Sequence, residues 1–379
     1  MDTKNIILAV IFSFSLLLLW DAWTNKGTTN STKSDSYNIN DKLIESTNPE
    51  IGKNSNEIPS ATVLSEKGNA VQSFNPEQQT KKDEGSFVEI KNDDLKLLIN
   101  LKGARIEYAE LLTQDSDLYG NGHVVLFNNE RNNEYEAQTG IFAFPGGGDI
   151  YPNHTSEFTV DSRSVKSSNS VTLISEINNI TLIKVISVAK KGYEVDVKTR
   201  VINNKNDQIE TGIYYQLVRT ANPPKGGSSF YQTFTGPAFY TNKEKFQKVD
   251  FDDIADGSAQ HAKKSSDGWL GLIQHHYVSA WILENSENRE FYSRKLPNNL
   301  YSVGAIQYLG RISPGQSAEH LAKLYVGPQL QKNLKGLAPG LELVVDYGIL
   351  TVIAKPIFWL LDKIHSYVGN WGWSIVVLT

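Results

Sequence analysis

From Phe87 to Val326 the sequence runs 240 residues in short bursts of alternating apolar and polar side chains, with no helix-length segment between them. Strands give that period of two, because successive side chains point to opposite faces. Twelve strands are expected: Phe87–Lys91, Leu95–Leu101, Val124–Phe127, Val171–Ile177, Ile180–Ala189, Tyr193–Ile202, Gly212–Arg219, Trp269–Gln274, Tyr277–Leu283, Glu290–Arg294, Tyr301–Tyr308 and His320–Val326. The alternation is clearest after Tyr193, where Val195, Val197 and Val201 fall on one face. Asn178-Asn179, Lys191-Gly192, Asn203-Asn204 and Pro314-Gly315 suit the turns between them. Without alternating helices a parallel sheet is excluded, so this region reads as one large antiparallel sandwich over residues 85–340. Within it only Gln329–Leu337 has a helical look.

The two chain ends are different objects. Ile6 to Trp20 holds thirteen apolar residues in fifteen, eleven of them Leu, Ile, Val or Phe. At about 0.3–0.6 kcal/mol each, these favour membrane insertion by roughly 3–7 kcal/mol with no charge opposing. No small-x-small cleavage pair follows. Trp20 and Trp23 stand there instead, where an interfacial aromatic anchor belongs, so residues 1–23 are expected to be an uncleaved transmembrane signal-anchor with its N-terminus inside. Residues 24–84 contain 24 Ser, Thr or Asn among 61 and only two aromatics, Tyr37 and Phe74. Such a composition buries too little apolar surface to offset its ordering entropy, and it reads as a disordered tether.

At the other end, Ile349, Val352, Ile353, Pro356, Ile357, Leu360, Leu361 and Ile364 follow helical spacing, while Thr351, Lys355 and Asp362 gather on another face. Eight Leu, Ile, Val or Phe between Ile349 and Leu361 favour insertion. They contribute about 2.4–4.8 kcal/mol, which a central lysine costing about 2.5–3.5 kcal/mol nearly cancels. Residues 341–368 are therefore expected to be an amphipathic helix lying in a membrane interface, with Ile353, Ile357, Phe358, Trp359 and Leu360 toward lipid. A core helix is the competing reading. After the break at Gly369, residues 369–379 open a second apolar run that carries Trp371 and Trp373. The nine residues from Trp371 cannot cross a bilayer, so the sequence is expected to be a fragment ending at the start of a second transmembrane segment.

Composition removes several chemistries. With 37 Lys and Arg against 42 Asp and Glu the net charge is −5, which argues against a nucleic-acid partner. No cysteine is present, so disulfides, thiolate metal sites and Cys nucleophiles are absent. His275-His276 on a strand would point to opposite faces and not share an ion. The glycines at 146–148 lack the lysine of a phosphate loop, and Asp250, Asp252, Asp253 and Asp256 read as a solvated acidic turn. Neither a catalytic residue nor a cofactor or metal site is indicated. A tethered carbohydrate-binding or sugar-epimerising domain remains the alternative, since a sandwich groove with a histidine and a carboxylate could act on sugars.

Several segments carry a resemblance. Met1-Asp-Thr-Lys-Asn with Leu19-Trp20-Asp-Ala-Trp23, Phe251-Asp-Asp-Ile-Ala-Asp256, Gly268 to Ile282, Tyr325-Val-Gly-Pro328, Val345-Asp-Tyr-Gly348 and Ile364 to Ile375 resemble the YidC family of Gram-negative membrane protein insertases, in the expected order. The resemblance implies a large periplasmic β-supersandwich like that of galactose mutarotase, an interfacial helix and five membrane-core helices. It implies a non-enzymatic insertase and chaperone of the bacterial inner membrane, working alone or beside the Sec translocon and its accessory subunits on nascent inner-membrane proteins, in contact with membrane lipid. The family's hydrophilic groove takes its charge from an arginine just inside the second span. The chain ends before that position, so no groove residue is carried over.

Overall fold

Most of the expected strands form where the alternation places them. The computed structural model of the chain describes residues 86–379, apart from 117–121, 131–132, 145–149, 163–166, 224–233, 285–287, 346–350 and the side chains of 351–355. The anchor with Trp20 and Trp23, the tether, the glycines at 146–148 and the Ile353 side chain lie outside the described residues. In chain order the strands are β1 Phe87–Lys91, β2 Leu95–Asn100, β3 Arg105–Ser116, β4 Gly122–Glu130, β5 Asn133–Ala143 and β6 Thr159–Val160. Next come β7 Ser170–Ile177, β8 Ile180–Val188, β9 Glu194–Asn203, β10 Ile209–Thr220, β11 Thr235–Thr241 and β12 Lys245–Lys248. Then follow β13 Lys264–Ser265, β14 Trp269–Gln274, β15 Tyr277–Leu283, β16 Arg289–Lys295, β17 Leu300–Ile312 and β18 Ser317–Pro328.

These strands make two nine-stranded antiparallel sheets, the first in the order β1-β2-β3-β4-β5-β10-β17-β16-β13 and the second β12-β11-β14-β15-β18-β9-β8-β7-β6. Their inner faces share one core, to which β9 contributes Val195, Val197 and Val201 and β10 contributes Ile213, Tyr215 and Leu217. This is the mainly β sandwich expected. Asn178 and Asn179 both adopt positive φ, 53° and 58°, as a two-residue hairpin turn between β7 and β8 requires.

Three local expectations are corrected. The segment expected as a solvated acidic turn is a short helix, α1 Phe251–Ala255, because Phe251 and Ile254 turn into the core while Asp252 and Asp253 occupy its first turn. His275-His276 sits not on a strand but in the tight turn between β14 and β15, with His275 at φ 51°. The amphipathic segment expected from residue 341 does not begin there. Leu341–Val344 is a 3-10 turn whose Leu341 and Val344 are core residues, preceded by α2 Gln331–Leu337. The long helix, α3, runs Thr351–Val368, and α4 follows at Trp371–Leu378.

One core position is occupied by a lysine. Lys184 lies on β8 at the inward register shared by Leu182 and Ile186, and it is fully buried. Its Nζ crosses the sandwich to donate to the Thr139 carbonyl at 2.7 Å and the Gly103 carbonyl at 3.0 Å, above the Phe158 ring. Burial pushes its ammonium down to about 7 from an ordinary 10.5. Between those values the unfolded chain holds a proton that the folded chain has released, so stability rises with pH there. The buried tyrosines, Tyr135 and Tyr292 among them at about 12, oppose this only as pH nears their ordinary value of 10, so the lysine sets the slope from pH 7 to 9. Equilibrium unfolding followed from pH 7 to 9 is expected to show a rising free energy, with a slope of up to about 1.4 kcal/mol per pH unit. Lys184→Met is expected to flatten that slope.

Candidate functional site

Alternation along β10 sends Tyr215 inward against Trp281 and leaves Tyr214 and Gln216 on the outer face of the first sheet. Polar side chains on that face form a continuous ribbon. Asn100 of β2 and Asn129 of β4 donate to the Glu107 carboxylate, which pairs with Arg105 on β3. Arg105 also pairs with Glu136 of β5 at 3.2 Å, and Glu136 accepts from the Gln138 amide. Gln138 Oε1 accepts from Gln216 Nε2, while Gln216 Oε1 accepts from Tyr292 Oη at 2.7 Å and Ser302 Oγ at 2.9 Å. The ribbon thus crosses every strand of the first sheet from β2 to β16.

Register explains how the ring of Tyr292 reaches Gln216. Gly304 of β17 pairs with both Tyr292 and Gln216, and a Cβ there would stand 2.2 Å from the tyrosine hydroxyl. Burial raises Glu136 above the usual carboxylate range against the pull of Arg105. Beside the ribbon, His154 Nδ1 bonds Tyr214 Oη, and burial with the Arg105, Lys184 and Arg294 cations drives the imidazole down to about 3. His154 is therefore neutral at pH 7 and bonded to a phenol, while Glu136 is bonded to Arg105 and Gln138. These polar groups are thus engaged with one another. Among the described residues no cluster of three or more His, Asp or Glu could hold a metal.

The other distinctive surface is apolar and lies at the end of the chain. From Pro356 to Leu360 every side chain of α3 is exposed, Trp359 at 65%. Leu361, Ile364 and His365 are half-buried. Gly369 stops the helix at φ 70° with its N–H on the His365 carbonyl, the left-handed cap that glycine permits. Asn370 Oδ1 then accepts from Trp373 N at 3.2 Å to start α4. Across this elbow the His365 ring stacks on Trp371 at 3.8 Å. Trp371, Trp373, Ile375, Val376 and Val377 are exposed in turn. Ile357, Phe358 and Leu360 are 45–48% exposed, and contiguous exposed apolar side chains of this kind are a feature of interaction surfaces. Among the described residues no helix is long and apolar enough to cross a membrane.

Of the residues expected at the interface, Ile357, Phe358, Trp359, Leu360, Trp371 and Trp373 are described, and each is exposed. The ribbon was missed from sequence. Its available signal was the placement of Glu136, Gln138, Gln216 and Ser302 mid-strand between apolar residues, where a solvated face would favour charge over amide.

Comparison with known proteins gives the following. The family model of the YidC periplasmic domain matches residues 87–360. The membrane protein insertase YidC of Janthinobacterium sp. (strain Marseille) is 38% identical over all of this chain, which covers 67% of it. That of Herminiimonas arsenicoxydans is 39% identical, again over all of this chain and 66% of the relative. The chain therefore spans about two thirds of the length of the curated relatives it matches. Among solved structures, a galactose mutarotase related enzyme from Lactobacillus acidophilus aligns with 64% of this chain and 97% of its own at TM-score 0.43 and 10% identity. A galactose mutarotase-like protein from Lactobacillus casei aligns with 64% of this chain and 100% of its own, at TM-score 0.40 and 12% identity.

Gln216 is the node of the ribbon, holding Gln138, Tyr292 and Ser302 at once. Gln216→Leu leaves buried Gln138 and Ser302 and half-buried Tyr292 to be satisfied elsewhere, at a cost of about 1–3 kcal/mol for each buried group that finds no partner. Thermal or urea unfolding is expected to show a loss of about 3 kcal/mol, several times that of an exposed control such as Gln316→Leu.

Proposed function

The chain belongs to the YidC family of membrane protein insertases, and we propose that it serves the insertion and folding of nascent inner-membrane proteins from the periplasmic side of a bacterial inner membrane. The observation that carries this reading is the family match over residues 87–360, together with 38–39% identity to insertases over the whole of this chain. Residues 1–23 anchor the chain, 24–84 tether it, the sandwich stands in the periplasm, and α3 lies in the periplasmic interface of the inner membrane. Trp20 and Trp23 fix the depth of the anchor. Ile353, Ile357, Phe358, Trp359 and Leu360 seat α3, and Trp371 and Trp373 guide α4 toward the bilayer core.

The physics of the seat supports that arrangement. An amphipathic helix gains its affinity from the apolar area it buries at the acyl boundary. Phe358 and Trp359 are the largest such side chains on α3, and both are exposed. Working beside the Sec translocon and its accessory subunits belongs to the same proposal, as does action without bond making. A sugar-binding or epimerising role is the weaker reading, because the polar groups of the first sheet's outer face bond one another.

A chimera tests the proposal. Residues 1–379 are joined to the remaining third of the Janthinobacterium relative and expressed in cells depleted of their own insertase. Growth and insertion of a dependent membrane protein are expected to recover. The triple substitution Ile353→Asp, Ile357→Asp and Leu360→Asp adds about 2.5–3.5 kcal/mol per carboxylate placed at lipid depth and is expected to abolish the recovery. Failure of a stably expressed, membrane-located chimera to restore insertion would contradict the reading.

A further inference from the structure

Between the sandwich and α3 lies a segment that the insertase reading leaves without a role. From Gln329 to Val345 the chain forms a strap of α2 and the 3-10 turn, laid over β11, β14 and β15 of the second sheet. The strap is pinned at both ends. At its start, Gln329 Nε2 donates to the His275 and Tyr277 carbonyls and its N–H to the His276 carbonyl at 2.7 Å. Toward its end, Trp269 Nε1 donates to the Pro339 carbonyl at 3.0 Å, and Gly340 packs so closely on Tyr240 that a Cβ would stand 2.2 Å from the ring. Leu334, Leu341 and Val344 are fully buried beneath it.

Yet two leucines of this fixed element point outward, Leu330 at 49% and Leu343 at 42% exposure. Leu330 stands at the N-cap of α2 with no side-chain cap, a position where Ser, Asp or Asn would stabilise the helix. Between the leucines the exposed charges are Lys332 and Lys335, and the strap's one acid, Glu342, is half-buried. Only residues 346–350 separate Val345 from the first residue of α3. Six Cα steps span at most about 21 Å, so the strap must stay within that reach of the helix.

We propose that the outer face of the strap is a lipid contact: Lys332 and Lys335 meet anionic phospholipid headgroups while Leu330 and Leu343 enter the headgroup layer. The inference rests on the interfacial seating of α3 and extends it. It turns a tethered domain into one docked by a chosen face, with the second sheet's β11–β14–β15 corner toward the membrane. Lysines within a Debye length of an anionic surface are each drawn to it.

The absence of cysteine makes single labels straightforward. The 379-residue chain, carrying an environment-sensitive fluorophore at Leu330→Cys, Leu343→Cys, Trp359→Cys or Glu89→Cys, is reconstituted in phosphatidylglycerol or phosphatidylcholine vesicles doped with a headgroup-nitroxide lipid. Glu89 lies on β1, which neighbours β7 and β8 at the far side of the sandwich from β14. Quenching at 330 and 343 is expected to exceed that at 89 at least threefold in phosphatidylglycerol, and to fall to the level at 89 with Lys332→Glu and Lys335→Glu in a chain of unchanged circular dichroism. Quenching at 359 with none at 330 and 343 overturns this contact and leaves the insertase reading standing. No quenching at 359 overturns the seating of α3 itself. Equal quenching at 330 and 343 in both lipids overturns the anionic headgroup as the ligand.

Discussion

The two sheets are tied together by side chains that cross the core to bond the opposite layer. Trp281 of β15 donates its indole N–H to the Gln216 carbonyl of β10, Lys184 of β8 reaches the Gly103 and Thr139 carbonyls, and Arg219 of β10 bonds the Gln274 amide of β14. Hydrophobic burial drives the sheets to meet but does not fix their offset. Directional bonds between buried groups do, because a slip would leave each donor unpaired at about 1–3 kcal/mol. Once that offset is set, the outer faces can be given different tasks. The first sheet closes its own outer face with the polar ribbon, and the second offers a corner on which the strap lies.

Much of this was legible in the sequence, and the exceptions have physical causes. Strands with one buried face, such as β9, announce themselves through strict alternation. Strand β3 does not, because register shifts after Ala109 and Leu111 break the period. Strand β5 is nearly buried on both faces and carries Glu136 and Gln138 outward, so it reads as neither pattern. Strand β11 contains Pro237, which argues against a strand until its neighbours are known, and β6, β12 and β13 are too short to show a period. In α1 the acids hid Phe251 and Ile254, the two residues that make the segment a helix. The exposed aromatics of α3 and α4 were legible because apolar spacing without a partner is a local property. The ribbon was not, since it joins residues from Asn100 to Ser302 that only register brings together.

The strap is pinned to the sandwich, and the helices α3 and α4 that follow it present exposed apolar side chains. Rigidity at the strap limits how far α3 can wander. The elbow at Gly369 and Asn370, closed by the His365–Trp371 stack, turns the chain from α3 into α4. In the proposed function, that arrangement would hold the periplasmic domain near the membrane.

The most direct test of this account is to measure access of a membrane-impermeant maleimide to single cysteines from the periplasmic face of spheroplasts. The account predicts rapid reaction at Glu89→Cys, and reaction at Trp359→Cys and Trp373→Cys only after detergent dissolves the bilayer. Equal reactivity at all three positions before detergent would contradict it, because α3 and α4 would then lie in water.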